Sequence, residues 1–325
     1  QYLTENDIFG FPQKGGRLSG PFKEEYILGG VIAKLLPILI VSNLYFFSIS
    51  LKNYIFTFTI IILSGLVVLL SGERWSSIFF FSYILLLGVT LNYEIMKIKL
   101  KTFMITIISV LVILIIFINS SHYFPPPSGK FIKTRLIDFS LQQFNAKDNE
   151  KYIEENNKEL KYTTFAKNYR IFSIEHQSYY ESSIKIFVEN KLVGVGPKQF
   201  REKCKNKKYQ TKLKYNSGFI ITGCQTHPHN IYLQLLAETG IIGTIPVLLF
   251  FFLLSKLLIT HLYNKYFNNK HYLDNYSLFL LLPLFVIFFP ILPSSNFFGS
   301  WHNFFIYFLL GFYLKDRVKR LNTNK

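Results

Sequence analysis

The residues best suited to chemistry lie in one short stretch, His227-Pro228-His229-Asn230. Asn230 is a favourable helix N-cap, and Gly240 is a favourable C′ residue because glycine readily adopts the left-handed conformation that ends helices. The pattern predicts a short helix over 231–239, lying on the membrane surface. His229 then precedes a helix N-terminus, whose exposed N–H groups and dipole favour anions and disfavour a protonated imidazole. A neutral imidazole at such a site is suited to act as a general base near a phosphate leaving group.

The elements that must position this stretch are predicted from hydropathy. The sequence is 50% hydrophobic and 18% aromatic, and its apolar residues form long runs. A helix needs roughly 20 apolar residues to cross a bilayer. We therefore predict an all-α, polytopic integral membrane protein with a large, mostly helical periplasmic loop. Seven spans are expected, at about 27–47, 54–71, 76–92, 102–119, 241–259, 277–292 and 301–314. Because the chain starts at Gln1 in a polar stretch, we expect it to be a piece of a longer protein with earlier helices.

Charge predicts the orientation, because short cytoplasmic loops gather Lys and Arg. The basic connections and the tail all fall on one side: Lys52, then Lys97, Lys99 and Lys101, then Lys265 and Lys270, then Lys315, Arg317, Lys319 and Arg320. The connection at 293–300 has no Lys or Arg. We expect three parts: a periplasmic N-terminal segment with four spans (1–119), a periplasmic loop (120–240), and three spans with a basic cytoplasmic tail (241–325).

The long loop carries several local signals. Pro125-Pro126-Pro127 opens it and excludes helix, residues 141–170 are charged and predicted helical, and 176–190 show helical spacing of apolar residues before a turn at Gly194–Pro197. Cys204 and Cys224 both lie in this loop. In an oxidising periplasm they are expected to pair and to contribute roughly 3 kcal/mol, the alternative being two separate thiols.

The His-Asn pair, nine residues and Gly-x-x-Gly-Thr resemble the signature of the O-antigen ligase and polymerase superfamily, in which a long periplasmic loop also precedes the motif. The resemblance runs from the segment at Arg17-Leu18-Ser19-Gly20 to the last span. It implies transfer of an undecaprenyl-diphosphate-linked glycan to a lipid A-core or other glycan acceptor at the periplasmic face of the bacterial inner membrane. It also implies that His229 is the catalytic residue and that neither metal nor cofactor is needed.

Arginine is the natural partner of the donor diphosphate, because its planar guanidinium makes two-pronged hydrogen bonds to phosphate oxygens. The donor-binding candidates are Arg17, Arg74, Arg170 and Arg201. The acceptor-binding or secondary candidates are His176, His227 and Asn230. His176 and Tyr180 occupy the place where the family often has an Arg and a Trp four positions later. The alternative roles are structural: Arg17 and Arg74 as anchors for lipid headgroups, Arg74 as a partner of Glu73, and Arg170 and Arg201 as solvated charges.

Other classes fit less well. The formal charge of +17 permits a nucleic-acid partner in principle, but much of it flanks predicted spans, so membrane lipid is expected and nucleic acid is not. His227 and His229 lack acidic or thiol ligands at zinc spacing, and no phosphate-gripping Gly-Lys-Ser/Thr loop is present. We expect a ligase-like glycosyltransferase, with a repeat-unit polymerase as the alternative enzyme. A lipid-linked oligosaccharide transporter is the rival of another class, and it should show polar or broken helices at the membrane midplane.

Overall fold

The computed structural model describes residues 6–7, 9–12, 18–23, 25–46, 51–91, 173–211, 213–214 and 220–323. The predicted span at 102–119, the tri-proline segment, the helix predicted within 141–170, Arg17 and Arg170 lie outside these ranges. The chain divides into two compact units, each described below by itself. The first unit takes its residues from 1–138, 254–287 and 305–325, and the second from 139–253 and 288–304.

The first unit is built from apolar helices: α1 (Leu28–Phe46), α2 (Leu51–Leu70), α3 (Arg74–Thr90) and α7 (Asn275–Ile287), with parts of α6 (Ile231–Phe267) and α8 (Ser300–Thr323). α1 packs against α2, α3 and α7, and α3 also packs against α7. The most completely buried side chains of this core include Tyr83, Phe79, Phe80, Leu36 and Ile40. Apolar side chains on several sides of each helix favour mutual burial, and this accounts for the bundle.

These helices overlap the predicted spans, with changed boundaries. α7 ends at Ile287 rather than at 292 because Pro290 disfavours helical conformation at the residue before it. α8 continues to Thr323, well past the predicted end at 314. Among the described residues, one helix, Ile231–Phe267, is long and apolar enough to cross a membrane, and four shorter apolar helices accompany it.

Glu73 joins the start of α3 to the start of α1 in the first unit. One carboxylate oxygen accepts a hydrogen bond from the Gly29 N–H at 2.8 Å, and the other accepts from the Gly30 N–H at 3.2 Å and from the Ser76 hydroxyl at 2.7 Å. Gly29 and Gly30 belong to the first turn of α1, so the carboxylate satisfies N–H groups that have no partner within the helix. Its negative charge also stabilises the positive end of the α1 dipole.

The second unit contains α4 (Ile174–Glu189), α5 (Phe200–Lys203), a minimal antiparallel ladder of β1 (Leu213–Lys214) and β2 (Ile220–Ile221), and the start of α6. The ladder pairs Leu213 with Ile221 and Lys214 with Ile220. α4 confirms the helix predicted at 176–190. A disulfide bond joins Cys204 and Cys224, whose Cα atoms lie 5.1 Å apart. The buried core around it contains Ile186, Phe200, Cys204, Tyr209 and Ala237.

α6 consists of two helical segments, α6a (residues 231–239) and α6b (residues 241–267), separated at Gly240. Gly240 has φ 62° and ψ −163°, a region of backbone space that is essentially restricted to glycine. The helix break predicted at this glycine is confirmed, although its ψ is not that of a left-handed cap. No loop follows, because α6b begins at the next residue.

A turn formed by residues 191–196, here called the splice turn, supplies the hydrogen bonds that the break leaves unmade. The N–H groups of Val195 and Gly196 donate to the Ala237 and Glu238 carbonyls at 3.0 and 2.8 Å, at the end of α6a. The Lys191 and Leu192 carbonyls accept from the Ile241 and Ile242 N–H groups at 2.8 and 3.2 Å, at the start of α6b. One turn therefore satisfies the last carbonyls of one helix and the first N–H groups of the next.

Candidate active site

His229 is positioned by the start of α6a. The Asn230 side-chain oxygen accepts hydrogen bonds from the Tyr232 and Leu233 N–H groups at 3.0 and 3.1 Å, so Asn230 is the N-cap that the sequence predicts. His229 itself has φ 57°, an uncommon conformation for a residue with a side chain, although histidine tolerates it better than most. The ring therefore projects from a tight, specified backbone position just before a helix N-terminus.

The segment before α8 fixes this backbone position from a second side. The Ser294 N–H donates to the His229 carbonyl at 2.8 Å. The Asn230 side-chain amide donates to the Pro290 carbonyl at 2.8 Å, and the Tyr232 hydroxyl donates to the Phe288 carbonyl at 2.7 Å. Three successive anchors thus hold the entry to α6a against residues 288–294, which immobilises the histidine backbone.

Aromatic and imidazole rings surround His229. Its ring centroid lies 4.1 Å from that of His227, 5.4 Å from that of His176 and 5.7 Å from that of Tyr179. The structure therefore brings together three histidines that the sequence singles out, from two separate parts of the chain. His176 comes from the first turn of α4, and the other two come from the segment before α6a.

The environment keeps the His227 and His229 imidazoles neutral. Burial lowers the pKa of His229. Burial also lowers the pKa of His227, to about 3, and the neighbouring His229 and His176 rings contribute in the same direction. Desolvation disfavours the charged form of histidine, and a second cationic ring nearby disfavours it further. At neutral pH one ring nitrogen of His229 is therefore unprotonated and can accept a proton, which a general base must do.

α4 fixes the other wall of the site. Ser173 is the N-cap of α4, and its hydroxyl accepts from the His176 N–H and lies 2.8 Å from Nδ1 of the His176 ring. One turn further, Tyr179 lies beside both His176 and His229 and forms a side-chain hydrogen bond with Gln225. Burial raises the pKa of Tyr179, so its hydroxyl stays protonated. Tyr179 is thus a polar group of the site whose role the sequence does not reveal, although its position one helical turn after His176 is a usable signal.

The arginine candidates are distributed differently. Arg201 lies in α5 with its side chain 60% exposed and Nε 3.9 Å from a Glu202 carboxylate oxygen. Arg74 is the first residue of α3 in the first unit. The neighbouring Glu73 carboxylate, considered above as its partner, binds the N-terminus of α1.

Two further polar side chains of α6a are buried, Gln234 and Glu238. The Gln234 amide nitrogen donates to Glu238 at 3.0 Å and to the Asn296 side chain at 2.8 Å, and its oxygen accepts from the Phe297 N–H at 2.9 Å. Glu238 accepts from the Phe200 N–H at 2.8 Å. The helix that follows His229 is thus held by contacts to α5, through Glu238, and to residues 296–297, through Gln234. Spacing of four residues places both groups on one helix face, but their partners are not evident from sequence.

Within the described ranges, no three His, Cys, Asp or Glu side chains are grouped so as to hold a metal ion. The site is thus a cluster of three imidazoles and a tyrosine beside a helix N-terminus.

Comparison with known proteins gives one family. The family model described as O-antigen ligase matches residues 59–248, which include the His229 motif and both glycines that follow it. No curated protein and no solved structure matches the chain significantly. Because the match covers more than half of the sequence, the chain belongs to the O-antigen ligase family, a family of membrane enzymes.

Proposed function

We propose that the protein transfers a glycan from a polyprenyl-diphosphate carrier to a hydroxyl of an acceptor sugar, as an O-antigen ligase. The acceptor oxygen attacks the anomeric carbon of the donor, the bond from that carbon to the diphosphate oxygen breaks, and the electron pair leaves on the diphosphate. His229 orients the acceptor hydroxyl and takes its proton. Family membership supports the lipid-linked glycan as the substrate class.

The proposal rests on the neutral ring and the fixed backbone of His229. Its ring is kept neutral by burial, its backbone is fixed at positive φ, and its carbonyl is held by Ser294. A histidine placed only to begin a helix needs none of these features, because Asn230 supplies the cap. His176, His227 and Tyr179 adjoin the same ring and are proposed to contact the acceptor.

The departing diphosphate carries the developing charge, and its stabilisation is expected to be the main electrostatic contribution to the rate. Arginine side chains are proposed to provide it, without a metal ion. Arg17 and Arg74 are the principal candidates, and Arg170 and Arg201 are the substitutes for a third contact. The exposure of Arg201 leaves its guanidinium accessible to a ligand.

The chemistry is proposed to occur on the periplasmic side of a bacterial inner membrane that the chain crosses several times. The apolar helices of the first unit and α6b support a multi-pass arrangement. The distribution of basic residues in the predicted connections supports the orientation. The donor is then an undecaprenyl-diphosphate-linked glycan, and the acceptor is a lipid A-core or another glycan.

The test is glycan transfer by the purified full-length protein from a lipid-linked donor, comparing His229→Ala with wild type. A positioned base contributes roughly 100- to 10,000-fold in rate. The transfer rate of His229→Ala should therefore fall roughly 100-fold or more, while the variant remains inserted and folded. His227→Ala should lose less. His271→Ala is the matched control, because His271 is exposed and lies in the first unit. If His229→Ala kept more than about a tenth of the wild-type rate, a loss well short of that range, the base assignment would be wrong.

Glycan profiles of a deletion strain separate the three functional classes. Fully polymerised glycan that remains on its lipid carrier, without transfer to the acceptor, indicates a lost ligase. Accumulated single repeat units indicate a lost polymerase. Lipid-linked donor that stays on the cytoplasmic side indicates a lost transporter, and the transferase proposal would then have to be abandoned.

A further inference from the structure

Four apolar side chains of the second unit lie open on its surface. Ile184 and Val188 are one turn apart on α4 and are 48% and 54% exposed, and Leu192 and Val193 of the splice turn are 65% and 69% exposed. We call these four residues the apolar edge. The opposite face of α4 is the buried one and includes Ser178, Ser182 and Ile186. A soluble surface rarely carries such a run of exposed aliphatic residues without a partner.

The exposed face of α6b shows the same chemistry. Ile242, Ile245, Leu249 and Phe252 are 62%, 48%, 57% and 62% exposed. Their spacing of three, four and three residues places them on one side of the helix. α6b belongs to the helix that is long and apolar enough to span a bilayer, so this side is the one suited to face lipid.

The splice turn joins these two apolar surfaces. The Leu192 carbonyl accepts a hydrogen bond from the Ile242 N–H at 3.2 Å, and the Lys191 carbonyl accepts from the Ile241 N–H at 2.8 Å. A Cβ added at Gly240 would overlap the Leu192 carbonyl and the Val193 nitrogen. Leu192 and Val193 are therefore held in direct backbone contact with the point where α6b begins. Wherever that helix enters a membrane, the splice turn is at the same depth.

We propose that the apolar edge is a membrane-binding surface, inserted among the acyl chains of the leaflet that α6b enters. The exposed Lys191, beside Leu192, is placed to reach the lipid phosphates while its stem lies along apolar surface. α4 then lies in the interface, and its opposite side, which includes Tyr179, is directed away from the acyl chains. The assignment of this surface to lipid does not depend on the transfer reaction.

The occupant is lipid rather than a second protein because the apolar edge is continuous, through two backbone hydrogen bonds, with a helix face suited to lipid. An amphipathic helix in the interface buries its apolar side in the headgroup and acyl boundary region. Aliphatic residues without aromatic or arginine anchors also lack the composition of a protein-binding hot spot.

Fluorescence quenching by brominated lipids tests the assignment. In the full-length protein, every native tryptophan, Trp75 and Trp301 included, is first replaced by Phe. A single tryptophan is then placed at Leu192 or, in a second variant, at Val188. Lys207→Trp is the matched control, because Lys207 is an exposed polar position of the same unit. Each variant is reconstituted in phosphatidylcholine vesicles with or without bromine on the upper acyl chain.

Tryptophan at Leu192 and at Val188 should show blue-shifted emission and lose fluorescence in brominated vesicles, while the Lys207 control should keep red-shifted emission and lose none. Unquenched, red-shifted emission at both test positions would overturn the proposal. Blue-shifted emission that bromine does not quench would also overturn it, in favour of a second copy or another protein. Because transfer activity is measured separately, unquenched reporters in an active enzyme would reject the lipid surface and leave the proposed reaction standing.

Discussion

Gly240→Ala tests how much the contact between the splice turn and α6 contributes to stability. Alanine at φ 62° and ψ −163° is expected to cost about 1 to 3 kcal/mol in backbone strain. Its Cβ would also overlap the Leu192 carbonyl, which must then move away from α6b. The two hydrogen bonds accepted by Lys191 and Leu192 would open, at about 1 kcal/mol each. The total is a loss of about 3 to 5 kcal/mol in the free energy of unfolding.

The measurement is equilibrium unfolding of the purified protein in mixed micelles, followed by intrinsic fluorescence. Gly311→Ala is the matched control, since a Cβ there meets no atom within 4 Å and the residue lies within α8. That control should equal wild type or be slightly more stable, because alanine favours helix over glycine. A free energy of unfolding of Gly240→Ala within about 1 kcal/mol of wild type, the typical effect of an ordinary substitution, would show that the close contact does not contribute to stability.

Three other predictions follow from charge and covalent structure. Burial lowers the pKa of His227 from 6.5 to about 3 in the folded protein, so below pH 6.5 the unfolded chain binds more protons than the folded one. The free energy of unfolding should therefore decrease as the pH falls from 6.5 to about 3. The thermal unfolding temperature of His227→Gln should depend less on pH across that window, and equal dependence would contradict the buried neutral state. Peptide mapping without reductant should recover a Cys204–Cys224 cross-link, and free thiols at both positions would reject the pairing. Cys204→Ser should speed proteolysis of the second unit, because closing a loop of this size contributes roughly 3 kcal/mol to stability. A cysteine at Lys207 should react with an impermeant thiol reagent in intact spheroplasts and one at Lys270 only after lysis, and the reverse result would invert the orientation.

The local features of the site were predictable from sequence because each depends on neighbouring residues. An asparagine before an apolar helical run predicts the N-cap at Asn230, and a glycine at its end predicts the break at Gly240. Helical spacing of apolar residues also predicts α4. These signals need no knowledge of distant chain segments, and the structure confirms all three.

The tertiary contacts of the site were not predictable in this way. Glu238 binds the N–H of Phe200, 38 residues earlier, and Gln234 binds Asn296, 62 residues later. The sequence predicts only a glycine-rich turn at Gly194–Pro197, since nothing in these residues shows that the chain here completes the hydrogen bonding of two helix ends. The strands β1 and β2 are not predictable from sequence because alternation of hydrophobicity cannot be recognised over two residues.

The positive φ of His229 sets two opposite demands on that position. Glycine or asparagine would relax the backbone there, whereas histidine retains a strain of about 1 to 3 kcal/mol. The residue that best fits the local backbone is therefore not the residue that can exchange a proton. Random variation screened only for expression or thermal stability would favour replacement at position 229. Such variants would be more stable but would lack the proposed catalytic base. A stabilised form of this enzyme should be sought with His229 held constant, by changes elsewhere in the chain.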